Sequence, residues 1–183
     1  MFMVPVGHTI RAFFLDQSGD PDDFYVEYFL QPLFVPAERI HFSIGDRVQR
    51  PDGGQVWTLS NPTLVRDLHH SLRPIADYFF SHIHTPADVA QAAASLKKST
   101  NPHVREAIAY SFAKGGDTTS ATHELDALIQ QLQASPLYDW QRDMLQRVQG
   151  FRGVLLADTA KAQEQLLRWE QETARHVELE QYV

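Results

Sequence analysis

The hydrophobic period of this chain changes near Asn61-Pro62, and no other feature restricts its fold so strongly. Upstream, apolar residues alternate with polar ones in short runs, the spacing of half-buried strands. Downstream they recur at helical intervals, as in Leu64, Val65, Leu68 and Leu72. Asn61 offers an N-cap oxygen, and Pro62 suits a first helical position, where its missing N–H costs nothing. Strands followed by helices imply an α+β fold. The expected form is an N-terminal antiparallel β-meander packed against a C-terminal multi-helix region with antiparallel helical hairpins. At 183 residues one domain suffices, with 1–60 as the sheet part and 61–183 as the helical part.

The densest apolar and aromatic run, residues 24–48, is the expected scaffold of the sheet. Strands are predicted over 9–15, 24–30, 39–48 and 55–59, with the Asp- and Gly-rich 16–23 as the first turn. Pro32 and Pro36 mark a bend or a guarded sheet edge, because proline donates no ladder hydrogen bond. In 39–48 the alternation puts Ile40, Phe42 and Ile44 on a core face and Arg39, His41 and Ser43 on a solvent face. Among the helices, Pro74 is expected to break or kink the first. Thr85-Pro86, Asn101-Pro102, Asp117 and Ser135-Pro136 start later ones, and Gly115-Gly116 stops one. A last helix is expected after Gly150 and Gly153, with Leu156, Ala160, Leu167, Ala174 and Val177 facing inward. The helices are expected to pack largely on one sheet face.

Charge and composition narrow the function classes. Lys and Arg number 16 against 23 Asp and Glu, a net charge of −7, and there is no cysteine. An acidic chain without a basic patch repels phosphate backbones, so nucleic acid is not an expected partner. The absence of cysteine removes disulfides and thiolate chemistry. The apolar start of the sequence lacks a basic n-region, and no run reaches the roughly 18 apolar residues of a membrane span. A cytoplasmic protein with no membrane partner and no cofactor is expected; the oligomeric state is open.

Three groups of residues invite chemistry. Asp16, Ser18, Asp20, Asp22 and Glu27 fall at liganding positions of an EF-hand-like calcium loop, but Pro21 occupies the place that needs glycine and the flanks read as strands. His69, His70, His82 and His84, with Asp67 or Asp77, carry metal-ligand chemistry without a His-x-x-x-His pair. From these, a metal-assisted hydrolase would use His69, His82 or His84 with Asp77. The acidic entry to the central run, Asp20, Asp22, Asp23 and Glu27, together with Arg39 and His41, forms the expected protein-binding surface. No nucleophile elbow or phosphate-cradling glycine loop accompanies them.

Two resemblances add to this reading. Gly116, Asp117 and Ala121 resemble the turn of a tetratricopeptide hairpin over 102–134, which implies a helical adaptor with a groove around Tyr110 and Leu125. The run Gln31-Pro32-Leu33-Phe34-x-Pro36, then Gly45-Asp46-Arg47, then Leu166-Leu167-x-Trp169-Glu170-x-Glu172-Thr173, resembles an uncharacterised family of small bacterial cytoplasmic proteins. That resemblance brings no catalytic residue. Several small acidic bacterial proteins of comparable build are immunity proteins that neutralise a cognate toxin. By analogy between classes, the expected function is non-enzymatic binding of another protein, such as a basic toxin.

Overall fold

The computed structural model describes residues 7–95, 101–134 and 138–182. Its fold is α+β: an N-terminal antiparallel sheet followed, among the described residues, by six α-helices. Strand β1 (Thr9–Gln17) pairs with β2 (Asp23–Pro32) along its whole length, from Thr9 opposite Pro32 to Gln17 opposite Phe24. The other edge of β2 carries β3 (Ile44–Arg47) opposite Glu27–Leu30 and β4 (Trp57–Thr58) opposite Asp23 and Phe24. β2 is therefore the central strand, as its apolar density demands. Pro32 sits where β3 has already ended, so its missing donor breaks no pairing.

Residues 39–43 are not strand, which corrects the alternation expected there. Ile40 and Phe42 are 38% and 41% exposed, and only the last member of that apolar set, Ile44, enters the core. Phe42 instead folds against the β1–β2 pair, with its ring 4.7 Å from that of Phe29 and 4.9 Å from that of Phe14. The strand can begin only at Ile44-Gly45. Gly45 lies so close to β2 that a Cβ there would come within 2.9 Å of Phe29 Cα and nearer still to the Tyr28 carbonyl oxygen.

The helices are α1 (Leu64–His82), α2 (Pro86–Ser95), α3 (Pro102–Lys114), α4 (Thr118–Gln133), α5 (Asp139–Ala157) and α6 (Thr159–His176). Their starts follow local chemistry. Asn101 accepts from His103 N at 3.0 Å, Asp117 from Ser120 N at 3.0 Å, and Asp158 from Ala160 N at 3.0 Å. Gly116, at φ +85°, ends α3 in the left-handed conformation that glycine reaches without strain. Three expectations change. α1 runs unbroken through Pro74, whose ring is on the exposed side. α5 runs through Gly150 and Gly153 to Ala157. In α6 the inward positions are Ala162, Leu166, Glu170, Thr173 and Ala174, while Leu156 and Leu167 are 54% and 47% exposed. The Ser135-Pro136 start lies outside the described residues.

Three helices pack on one sheet face, and the end of α6 reaches the other. On one face Val26, Val48 and Trp57 meet α1, and Leu30 and Ile44 meet Phe79, Val89 and Val104. On the other, Ile10, Phe29 and Leu33 meet Ala174 and Leu179 at the end of α6. Consecutive helices from α2 to α6 pack as antiparallel hairpins, and α6 returns to α3. Their shared core is built on Tyr110, Leu125, Leu128, Phe151 and Leu166. Tyr110 and Leu125 are fully buried, so the groove expected around them is closed. Among the described residues no helix is long and apolar enough to cross a membrane.

Candidate functional site

The acidic residues singled out in the sequence are occupied within the fold. Asp22 accepts from the Ser60 hydroxyl at 2.5 Å and from Ser60 N at 3.2 Å, and Asp23 accepts from the Thr58 hydroxyl at 2.8 Å. Both carboxylates thereby tie β4 to the hairpin. Asp20 accepts from Asp22 N at 2.9 Å, and Glu27 accepts from Arg47 Nε at 3.2 Å. The histidines of the hydrolase reading are dispersed. His69 is exposed, Asp77 faces Arg73 at 3.7 Å, and the His82 ring lies 5.5 Å from that of Tyr78. His84 donates its backbone N–H to Asp88 at 3.0 Å. Among the described residues, no group of three or more His, Cys, Asp or Glu side chains could hold a metal ion.

Arg39 and His41 lead elsewhere. The segment between β2 and β3 arches over the N-terminal half of α3 and the first turns of α5, enclosing a cleft. Gln31 fixes the arch from inside the sheet, accepting His41 N at 2.7 Å and donating to the Arg39 carbonyl at 3.3 Å. Thr173 on α6 holds its other limb, accepting Ala37 N at 3.2 Å while its hydroxyl donates to the Val35 carbonyl at 3.3 Å. His176 Nδ1 lies 3.3 Å from the Ala37 carbonyl oxygen. An irregular segment needs such outside partners, because no ladder satisfies its backbone.

The cleft has two chambers that share Pro36, Ala37, His41, His103 and Arg147. The inner one holds about 90 Å³ and is walled mainly by Leu30, Pro32, Val35, Ile44 and Ala107. The outer one holds about 430 Å³ and is rimmed by Glu38, Arg39, Trp140, Asp143 and Glu172. Three flat rings form a stack here, His41 and His103 lining both chambers and Trp140 the outer one. His41 and His103 are 6.3 Å apart at 18°, and His103 and Trp140 are 5.0 Å apart at 17°.

Beneath the stack a charged pair is built into the wall. Arg147 Nε and Nη2 donate to the two carboxylate oxygens of Glu106 at 2.9 and 3.1 Å, the bidentate geometry of the strongest such pairs. The Glu106 side chain is 1% exposed and that of Arg147 27%. The fully buried Tyr110 hydroxyl faces this pair without completing a well-aligned hydrogen bond. Burial, then the Glu106 charge, hold its proton on well above the ordinary range. Desolvation lowers the pKa of both stacked histidines. His103 and then Arg39 add to that at His41, while Glu106 opposes it at His103. Near neutral pH both rings are uncharged, which lets them stack without repulsion.

Of the residues proposed from sequence, Arg39 and His41 belong to this cleft, and Asp20, Asp22, Asp23 and Glu27 do not line it. Sequence reasoning missed His103, Glu106, Trp140 and Arg147. A signal for two of them was present. Glu106 interrupts the apolar set Val104, Ala107, Ile108, and Arg147 sits beside Met144 and Val148, so each is a charge in an apolar register that requires a partner. The two widely separated motifs, Gln31-Pro32 with Pro36 and Glu172-Thr173, also meet here. No family model matches the chain, and neither a curated protein nor a solved structure matches it.

Proposed function

We propose that this is a non-enzymatic protein-binding protein that grips its partner in the cleft between the 35–43 arch, α3 and α5. The observation that supports this most directly is the exposed ring stack at the mouth of a preformed hollow. Trp140 is 44% exposed although aromatic rings gain most from burial, and it is held in place by stacking on His103. Such rings, rigid and flanked by charges, are what protein-binding hot spots are made of. The most specific form of the proposal is an immunity-type protein that occupies a basic toxin, in keeping with the net charge of −7. Membership of the bacterial cytoplasmic family resembled by the Gln31–Pro36 and Glu172-Thr173 motifs belongs to the same proposal.

The test is capture of a partner from the native host, followed by calorimetry with Trp140→Ala. Loss of the ring is expected to weaken binding by about tenfold or more, the effect of removing a hot-spot aromatic. Unchanged affinity for Trp140→Ala would remove the cleft as the interface.

A further inference from the structure

The shape and charge of the two chambers define what a partner must present to them, on the reading that the cleft binds protein. The inner chamber is about 90 Å³. A cavity of about 150 Å³ admits a benzene ring, so this one takes a smaller group, of the size of a leucine side chain. The buried polar side chains of its lining, Glu106 and Gln31, are already committed, while His41, Ser43 and His103 are at least partly exposed. Both Glu106 oxygens are taken by Arg147, and Gln31 spends its amide on the arch. An apolar group entering here meets a mainly apolar wall and disturbs no hydrogen bond of Glu106 or Gln31, whereas a polar one finds those two buried partners already engaged.

The outer chamber carries the opposite character. Glu38, Asp143 and Glu172 are exposed on its rim, and among the described residues none of the three has an ion-pair partner. Among the described lining residues, Arg39 is the one unpaired guanidinium that opposes them, with His176 the remaining basic side chain, because Arg147 is neutralised by Glu106 and the stacked histidines are uncharged near neutral pH. Three carboxylates against one guanidinium favour a cationic flank. At about 430 Å³ the space suits a short stretch of chain rather than a folded surface.

We infer that the cleft recognises an extended segment that inserts one leucine-sized aliphatic side chain into the inner chamber and lays lysine or arginine residues along the outer rim. The aliphatic anchor supplies affinity and the basic flanks supply orientation.

Capped synthetic heptapeptides test this by calorimetry against the whole protein. The first has a central leucine between glycines with two lysines at each end. Others replace the leucine by alanine or phenylalanine, or the lysines by glutamates. Leucine is expected to bind about fiftyfold more tightly than alanine, the ratio expected for burying its three extra carbons, and more tightly than phenylalanine. The glutamate version is expected to bind at least about tenfold more weakly, and the Glu38→Lys/Glu172→Lys variant, exposed at both sites, to reverse that preference. Equal binding of leucine and alanine peptides, no binding of either, or indifference to flank charge would overturn the inference. A captured partner that still depends on Trp140 would leave the protein-binding reading standing in that event. Peptides that discriminate as stated, with a partner indifferent to Trp140→Ala, would separate the two the other way.

Discussion

Glu106 and Arg147 are unequal partners, and their inequality is measurable. The Glu106 side chain is 1% exposed, so losing Arg147 strands a carboxylate in the interior, while losing Glu106 leaves a guanidinium that still reaches water. Arg147→Met is therefore expected to cost about 3 kcal/mol or more. Adding Glu106→Met should restore part of that, because the stranded charge is then gone. Urea denaturation of the two variants checks it, and a double variant less stable than Arg147→Met would count against the pair as described. The stacked histidines make a second case. Their folded pKa values are lowered, so the unfolded chain binds more protons between the folded values and about 6.5. Their contribution to stability is full above that range and is lost as pH falls through it. Thermal unfolding of the wild type between pH 7 and 5 should fall more steeply than that of His41→Asn/His103→Asn.

At the scale of elements, β3 depends on one absent side chain. Gly45→Ala would drive a Cβ into the backbone of Tyr28 and Phe29, which cannot move without separating β3 from β2. A loss of about 3 kcal/mol is expected, and a variant within about 0.5 kcal/mol of wild type by urea denaturation would show that the strands tolerate more separation. Local chemistry made many elements legible beforehand. Asn101, Asp117 and Gly116 carry caps that work through neighbours a few residues away, and the structure uses them as read. Where the reading failed, a distant contact decided. The alternation of Ile40, Phe42 and Ile44 is genuine, but Gln31 captures the backbone at 39–41 before a ladder can form. Gly150 and Gly153 lie on the exposed side of α5, where each costs about 1 kcal/mol relative to alanine without ending a helix. The actual boundary is Asp158, whose carboxylate caps α6. The cleft was the least legible part. His41, His103 and Trp140 are remote in sequence, and only the packing of the arch on α3 and α5 stacks their rings.

Across the whole molecule, charge is divided between two kinds of work. Carboxylates of the β1–β2 hairpin fasten β4 and β3, while Glu170, 7% exposed, joins Lys114 at 2.7 Å and His8 at 2.5 Å, linking α3, α6 and the start of the sheet. Glu38, Asp143 and Glu172 have no such internal duty among the described residues and surround the cleft. The net charge of −7 that first suggested a basic partner is thus freest to act at that rim. On the proposal that the cleft is the interface, the partner docks there and not on the acidic hairpin. The most direct test is the affinity of the captured partner, by calorimetry, for Glu38→Lys/Asp143→Lys/Glu172→Lys beside Asp20→Lys as the hairpin control. Rim reversal is predicted to weaken binding by about a hundredfold, with about tenfold for each 1.4 kcal/mol lost, while Asp20→Lys stays within about twofold of wild type. Full affinity after rim reversal, or loss confined to Asp20→Lys, would contradict the account.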